Sequence, residues 1–397
     1  MEEFALCHPD HCYSGRGDYA YSECDYDVDV HGSNGRGLRS MRWGFSGGAR
    51  KAPLSRLLAK GFVKVRKQSF CVWLLATVYA TVLFLAACGG NGGVTTGATS
   101  AAAPPLAETP QQTAPAPDKT GGFDGRQAFR HVADLVAIGP RTAGTDGNHR
   151  AQDYITGQLK SVGCPVDAEA FHTPTPIGDT EMKNIVVKIP GTSPDIVLFL
   201  THYDTKRLPN FVGADDSGSS TGVMLELARL LCPRKNALTM WIAFLDGEEA
   251  FNLQWNDPDN TYGSRELAAR MAISGDLRRV KSVLLVDMIG SRDLRIKRDA
   301  NSTSWLTDMV WSTASRLGYS DIFVSSSTAV EDDHIPFLRR SVPAVDIIDL
   351  EIPYWHTSQD TLDKLSARSL AVVGHVLITV VPQLEQKFAR ATAALLP

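Results

Sequence analysis

"WIAFLDGEEAF", Trp241–Phe251, joins two patterns that conflict. Trp241 to Leu245 is a continuous apolar run, the pattern of a strand covered on both faces. It breaks off into Asp246, Gly247, Glu248 and Glu249. A doubly covered strand belongs to a sheet flanked by helices. The adjacent carboxylates mark the strand's carboxyl end as a place that must tolerate negative charge.

The same alternation extends over residues 123–397. "NIVVKIPG", "DIVLFLTHYD", "LTMWIAFLDG", "VKSVLLVDMIG" and "PAVDIIDLE" read as buried strands. "FDGRQAFRHVADLVAIG", "GNHRAQDYITGQLKSVG", "SSTGVMLELARLLC", "YGSRELAARMAIS" and "STSWLTDMVWSTASRLG" carry helical periodicity, and a last helix spans roughly Ser366 to Ala389. This order predicts one α/β domain, a three-layer sandwich with a mainly parallel mixed sheet between helices. The chain is 21% charged with a net charge of −4, so no basic excess points to nucleic acid.

Upstream, the composition changes. Phe70–Cys88 is apolar and uncharged, and Lys60, Lys64, Arg66 and Lys67 precede it. A basic flank, an apolar core and a small-residue end describe a secretory signal. "LAAC", Leu85–Cys88, followed by Gly89, Gly90 and Asn91, resembles the lipobox of bacterial lipoproteins, in which the cysteine carries the lipid and begins the mature chain. A signal-anchor helix is the alternative, since about 18 apolar residues can just span a bilayer. The segment is expected to place the protein outside the cytoplasm, either attached to a membrane through the lipid or the helix, or secreted. Residues 89–122 read as a flexible Gly/Ala/Pro/Thr linker. Residues 1–69 have no apolar periodicity and are expected to be disordered or to precede the true start, with Met41 a later candidate. "CHPDHC", Cys7–Cys12, lacks the second ligand pair that a zinc cluster needs. Of the seven cysteines only Cys164 and Cys232 fall in the folded part, and whether they pair is left open.

In open α/β sheets, sites form outside the carboxyl ends of the strands. Here those ends carry His202 and Asp204, then Glu248 and Glu249, then Asp287; loops add Asp215 and Asp216, "VEDDHIPF" with Asp332, Asp333 and His334, and "PYWHTSQD" with Trp355 and His356. So many acids on one rim require a cation. An Asp/Glu/His set without cysteine suits a catalytic zinc with an open position. Glu249 can then ligate while Glu248 stays free for proton transfer. Asp204 is placed to support His202, His334 to bond at a helix start, Asp215 to serve the loop, and Lys206 to sit on the rim.

"THYDTK", "GADDSGSSTGVMLELAR", "DGEEAF", "YGSRELAARM", "LLVDMIG", "VEDDHIPFLRRSVPAV" and "WHTSQDTLDKL" occur in the order found in glutaminyl-peptide cyclotransferases, members of the zinc aminopeptidase-like clan. The resemblance implies one zinc per chain held by Asp216, Glu249 and His356, with Glu248 as general acid/base. Asp287 and Asp332 would orient the scissile amide, and Trp355 would wall the pocket. Animal cyclases have a Trp shortly after "GEEAF"; Trp255, the candidate for a substrate-binding role here, comes one residue later than that pattern places it. Those enzymes also carry a disulfide beside the "HYD" strand, where this chain has Thr201 and Thr221, so that bond is expected to be absent. The implied substrate is the N-terminal glutamine of a peptide or protein, closed to pyroglutamate with release of ammonia. Two rivals remain at this stage. His202, Asp216, Glu249, Asp287 and His356 would also supply a two-zinc aminopeptidase. A surface lipoprotein with a non-catalytic pocket is the other, and the intact Glu248 argues against it.

Overall fold

The computed structural model describes residues 113–393, together with a separate two-residue antiparallel ladder of Cys7–His8 with His11–Cys12. The expected signal segment and lipobox, and most of the expected linker, lie outside the described residues. The domain begins upstream of Phe123: Pro117–Lys119 form a short turn, and Ala114 is buried against Ala367 and Ala371.

The helices are α1 (Gly125–Ile138), α2 (Asp146–Ser161), α3 (Ser220–Leu231), α4 (Tyr262–Ser274), α5 (Ser304–Arg316), the single turn α6 (Ile335–Leu338) and α7 (Ala367–Ala393). The strands are β1 (Val166–Thr175), β2 (Gly178–Ile189), β3 (Ser193–His202), β4 (Leu238–Leu245), β5 (Val280–Asp287), β6 (Ile296–Asp299), β7 (Phe323–Thr328) and β8 (Ala344–Ile348). Six of them form one sheet in the order β8-β5-β3-β4-β2-β1. The pairs β8/β5, β5/β3 and β3/β4 are parallel, and β2 and β1 are added antiparallel. β6 and β7 make a small parallel pair of their own.

Alternation along the strands divides the core. Val197, Phe199, Ile242 and Phe244 face a large cluster with Leu135 of α1, Ile155 of α2, Val223 of α3, Val310 of α5 and Val376 of α7. Leu198, Leu200, Ala243 and Leu245 face the opposite side, against Leu267 and Met271 of α4 and Phe337 beside them. This is the three-layer sandwich, and its doubly covered strands explain the continuous apolar runs. β1 escaped the sequence reading because it is an edge strand: "VDAEAFHTPT" is largely exposed and mixes polar with apolar residues. Ala367–Phe388 is long and apolar enough to cross a membrane, yet 67% of that window is buried inside the domain, so it is a core helix.

Cys164 and Cys232 form a disulfide that ties the segment after α2 to the end of α3, with Cα atoms 5.3 Å apart. Beside the "HYD" strand, Thr201 Oγ1 donates to Ser220 Oγ (2.9 Å) and Thr221 Oγ1 donates to the His202 carbonyl (2.8 Å).

Candidate metal centre

Because β3, β4 and β5 run parallel, their carboxyl ends reach one rim of the sheet and deliver His202, the Asp246–Glu249 turn and Asp287 together. The turn depends on Gly247, at φ 66°, where a Cβ would lie 2.5 Å from the Met182 sulfur. Asp204 holds the two residues after that glycine. Its carboxylate accepts the backbone N–H of Glu248 (3.1 Å) and of Glu249 (3.4 Å), and Oδ1 is 3.3 Å from His202 Nδ1. One buried acid thus orients both glutamates and the histidine.

Asp216, Glu249 and His356 each offer a ligand atom, and the three atoms lie within 4.8 Å of one another. His356 Nε2 is 3.3 Å from both Asp216 Oδ2 and Glu249 Oε1. The donor set fits a zinc ion. Both Glu249 carboxylate oxygens are buried, and among the described residues their only neighbours of opposite charge are His356 (3.3 Å) and Lys206 (3.5 Å), a setting in which a carboxylate is stable when it faces a cation. A second group, His202, Asp216 and Asp287, meets the same distance criterion.

His356 is fixed by contacts the sequence did not announce. Trp355 stacks on its ring with centroids 4.3 Å apart, and Phe211 meets it edge-on at 6.0 Å. Its backbone sits at φ 51°, a left-handed conformation uncommon for a residue other than glycine. Arg141, fully buried, donates to the carbonyls of Tyr203 (3.0 Å), Val212 (2.7 Å) and Gly213 (2.9 Å), clamping the loop between His202 and Asp216. The Asp360 carboxylate accepts the N–H groups of Asp215 (2.8 Å) and Asp216 (3.1 Å).

Electrostatics follow from burial and crowding. Burial opposes protonation of His356, but Asp216 and Glu249 overcome it and hold its pKa up at about 10. Burial raises Asp332 to about 7, with Asp287 adding to the rise. Burial pushes Glu248 well above the usual carboxylate range; His202 opposes this, while Asp332, Glu249 and Asp333 reinforce it. A divalent cation among these acids would reverse the repulsion.

A cavity of about 280 Å³ opens over these groups. Glu248, Asp287, Asp332, Trp255 and Trp355 all line it, as does Lys206, whose buried Nζ lies 3.5 Å from Glu249 Oε2. Asp216, Glu249 and His356 reach the same space, so the ligand, acid/base, amide-orienting and wall residues expected from the sequence all border it. His334 stands apart, fully buried at the start of α6 with Nε2 3.1 Å from Asp299 Oδ2.

Peptidase family M28 matches residues 184–381. The glutaminyl-peptide cyclotransferase of Drosophila melanogaster is 30% identical over 277 residues, which cover 62% of this chain and 78% of that protein. The chain belongs to the glutaminyl cyclase family. The crystal structure of an Acidobacteriales bacterium glutaminyl cyclase shares 38% identity at a TM-score of 0.64, covering 71% of this chain and 100% of the other. A Zn-dependent exopeptidase from Parabacteroides distasonis, 26% identical, superposes at a TM-score of 0.60 over 65% of this chain and 98% of its own. A glutaminyl cyclase and a Zn-dependent exopeptidase thus both share this architecture.

Proposed function

We propose that the protein is a zinc-dependent glutaminyl-peptide cyclotransferase acting on N-terminal glutamine. The observation that carries this reading over a peptidase is the 38% identity to a bacterial glutaminyl cyclase along the whole of that chain, against 26% to a Zn-dependent exopeptidase. Within the site, Glu249 belongs to a ligand group, while Glu248 lines the cavity and is in neither ligand group. Asp216, Glu249 and His356 would hold one zinc ion. Bound there, zinc supplies Lewis acidity toward an amide oxygen.

The chain's own residues account for the rest. Asp287 and Asp332 accept N–H groups of the substrate and keep its side-chain amide turned toward the ligand group. Trp355 and Trp255 border the space for the glutaminyl chain and help exclude bulk water. Glu248 takes a proton from the substrate α-amine as its nitrogen bonds to the side-chain amide carbon. The same carboxyl returns that proton to the departing nitrogen. One C–N bond forms, one breaks, and ammonia leaves.

A two-zinc aminopeptidase is the second reading, supported by the His202, Asp216 and Asp287 group and by the likeness to a Zn-dependent exopeptidase. Gln-Ala separates the two. Loss of one ammonia to give pyroglutamyl-alanine supports cyclisation, whereas free glutamine and alanine with two zinc ions per chain would overturn it.

We also propose that the protein is exported and anchored through a lipidated Cys88. The Cys164–Cys232 disulfide supports an oxidising compartment. Intact-mass analysis of the membrane fraction should find a chain starting at a lipidated Cys88; an uncleaved helix or a lipid-free product overturns the anchor.

A further inference from the structure

His356 reaches the metal centre from an irregular segment, in a backbone conformation that a non-glycine residue adopts only when its surroundings impose it. Bonds at both ends of that segment do so. Tyr354, buried two residues before His356, donates its hydroxyl to Asp215 Oδ2 at 2.8 Å. The Tyr354 carbonyl accepts the Thr357 N–H (3.1 Å) and hydroxyl (2.7 Å), closing a tight turn around His356. At the far end the Asp360 carbonyl accepts the Ala214 N–H (3.3 Å), and its carboxylate takes the two amides of Asp215 and Asp216. Residues 354–360 and 214–216 are thus joined twice, and His356 and Asp216 face each other between the joints.

Asp215 is the hub. It is fully buried, and its other oxygen, Oδ1, accepts the Gly290 N–H at 2.7 Å, in the segment just after Asp287. Its backbone carbonyl accepts the Ser219 hydroxyl (2.6 Å), and Ser219 Oγ accepts the Ile289 N–H (3.0 Å). One carboxylate therefore connects the Asp216 loop, the segment carrying His356 and the end of β5.

We propose that Asp215 and Tyr354 are positioning residues for the metal centre: their hydrogen bond, working with Asp360, sets the His356 imidazole in register with Asp216. This rests on the ligand assignment above. Neither side chain needs to touch metal or substrate. Their effect passes through the geometry of His356, so it should appear in metal affinity and coordination spectrum.

The test uses the full-length protein and cobalt(II), whose visible absorption reports coordination geometry. Tyr354→Phe keeps the ring and loses only the hydroxyl. It should weaken cobalt binding about tenfold or more, as expected for losing a hydrogen bond to a charged group, and should alter the cobalt absorption bands. The unfolding midpoint of the metal-free protein should also fall, because buried Asp215 Oδ2 loses its donor, so affinity and spectrum are the deciding readouts. Asp215→Asn, which leaves one acceptor oxygen for two donors, should show the same spectral change and at least as great a loss of affinity. Unchanged affinity and spectrum in Tyr354→Phe would overturn the proposal, whether or not stability falls. A wild-type chain that binds no cobalt would instead sink the ligand assignment beneath it.

Discussion

Glu248 and Glu249 are neighbours in the chain whose backbone amides share one acceptor, the Asp204 carboxylate, yet their tips part company. Glu249 Oε1 lies 3.3 Å from His356 Nε2, while Glu248 Oε2 lies 3.8 Å from His202 Nδ1. This divergence predicts opposite phenotypes for the same chemical change. Glu248→Gln keeps size and hydrogen bonding but cannot take a proton, so turnover should fall about 10²–10⁴-fold while zinc content stays at the wild-type level. Glu249→Gln should lower zinc content itself. Metal analysis beside initial rates checks both, and equal zinc loss in the two variants would refute the division of roles.

His356→Ala should lose zinc and activity together. Stability should drop with the metal, because Asp216 and Glu249 then face each other without a cation. Chelation of the wild-type protein should lower its melting temperature, because zinc binds the folded chain and not the unfolded one. At free zinc 100-fold above Kd, linkage contributes about 2.7 kcal/mol. Full zinc occupancy in the variant would show that the ligand set is wrong.

How far the sequence reached depended on the kind of interaction. β4 and β5 were legible because a doubly covered strand shows as an unbroken apolar run, and parallel pairing then brings His202, Glu248, Glu249 and Asp287 to one rim. β1 was not legible, since an exposed edge strand has no apolar run to show. Arg141, Phe211, Tyr354 and Asp360 were missed for another reason. Tyr354 meets Asp215 across 139 positions and Arg141 meets Gly213 across 72. Contacts that distant follow no periodicity, and a lone arginine in "GPRTAG" reads as a surface turn. The Cys164–Cys232 pairing needs a Cα separation, which spacing alone does not provide.

The disulfide closes a loop of 68 positions between buried Cys164 and half-buried Cys232. In the chain-entropy model, opening such a loop costs at most about 4 kcal/mol. Cys164→Ser/Cys232→Ser should therefore unfold at a clearly lower urea concentration while retaining zinc, since neither cysteine borders the metal cavity. An unmoved midpoint would mean that the bond does not restrain the unfolded chain.

His131 should make stability fall in mild acid, independently of the metal centre. Its Nδ1 lies 2.8 Å from Tyr154 Oη, which itself donates to Asp134 Oδ2 at 2.9 Å. The Tyr154 proton is thus engaged, and Nδ1 must be the donor in that pair. Nε2 then accepts from Gln127 Nε2 at 3.2 Å, and Gln127 cannot readily flip because its Oε1 is held by Arg130. A second proton on the ring would set donor against donor. Burial pulls His131 down from 6.5 to about 4; Asp134 resists this and Arg130 assists it. The folded pKa is depressed, so between those values the unfolded chain binds more protons than the native one. The contribution to stability is therefore intact above about 6.5 and is lost as pH falls toward 4. From pH 7 to pH 5 the loss from this residue should be about 2 kcal/mol. His131→Asn, which does not titrate, should lower stability at pH 7 but show a pH dependence shallower by that amount in paired urea titrations. Identical slopes for variant and wild type would rule out the assignment, and an NMR titration placing the folded His131 pKa near 6.5 would do so directly.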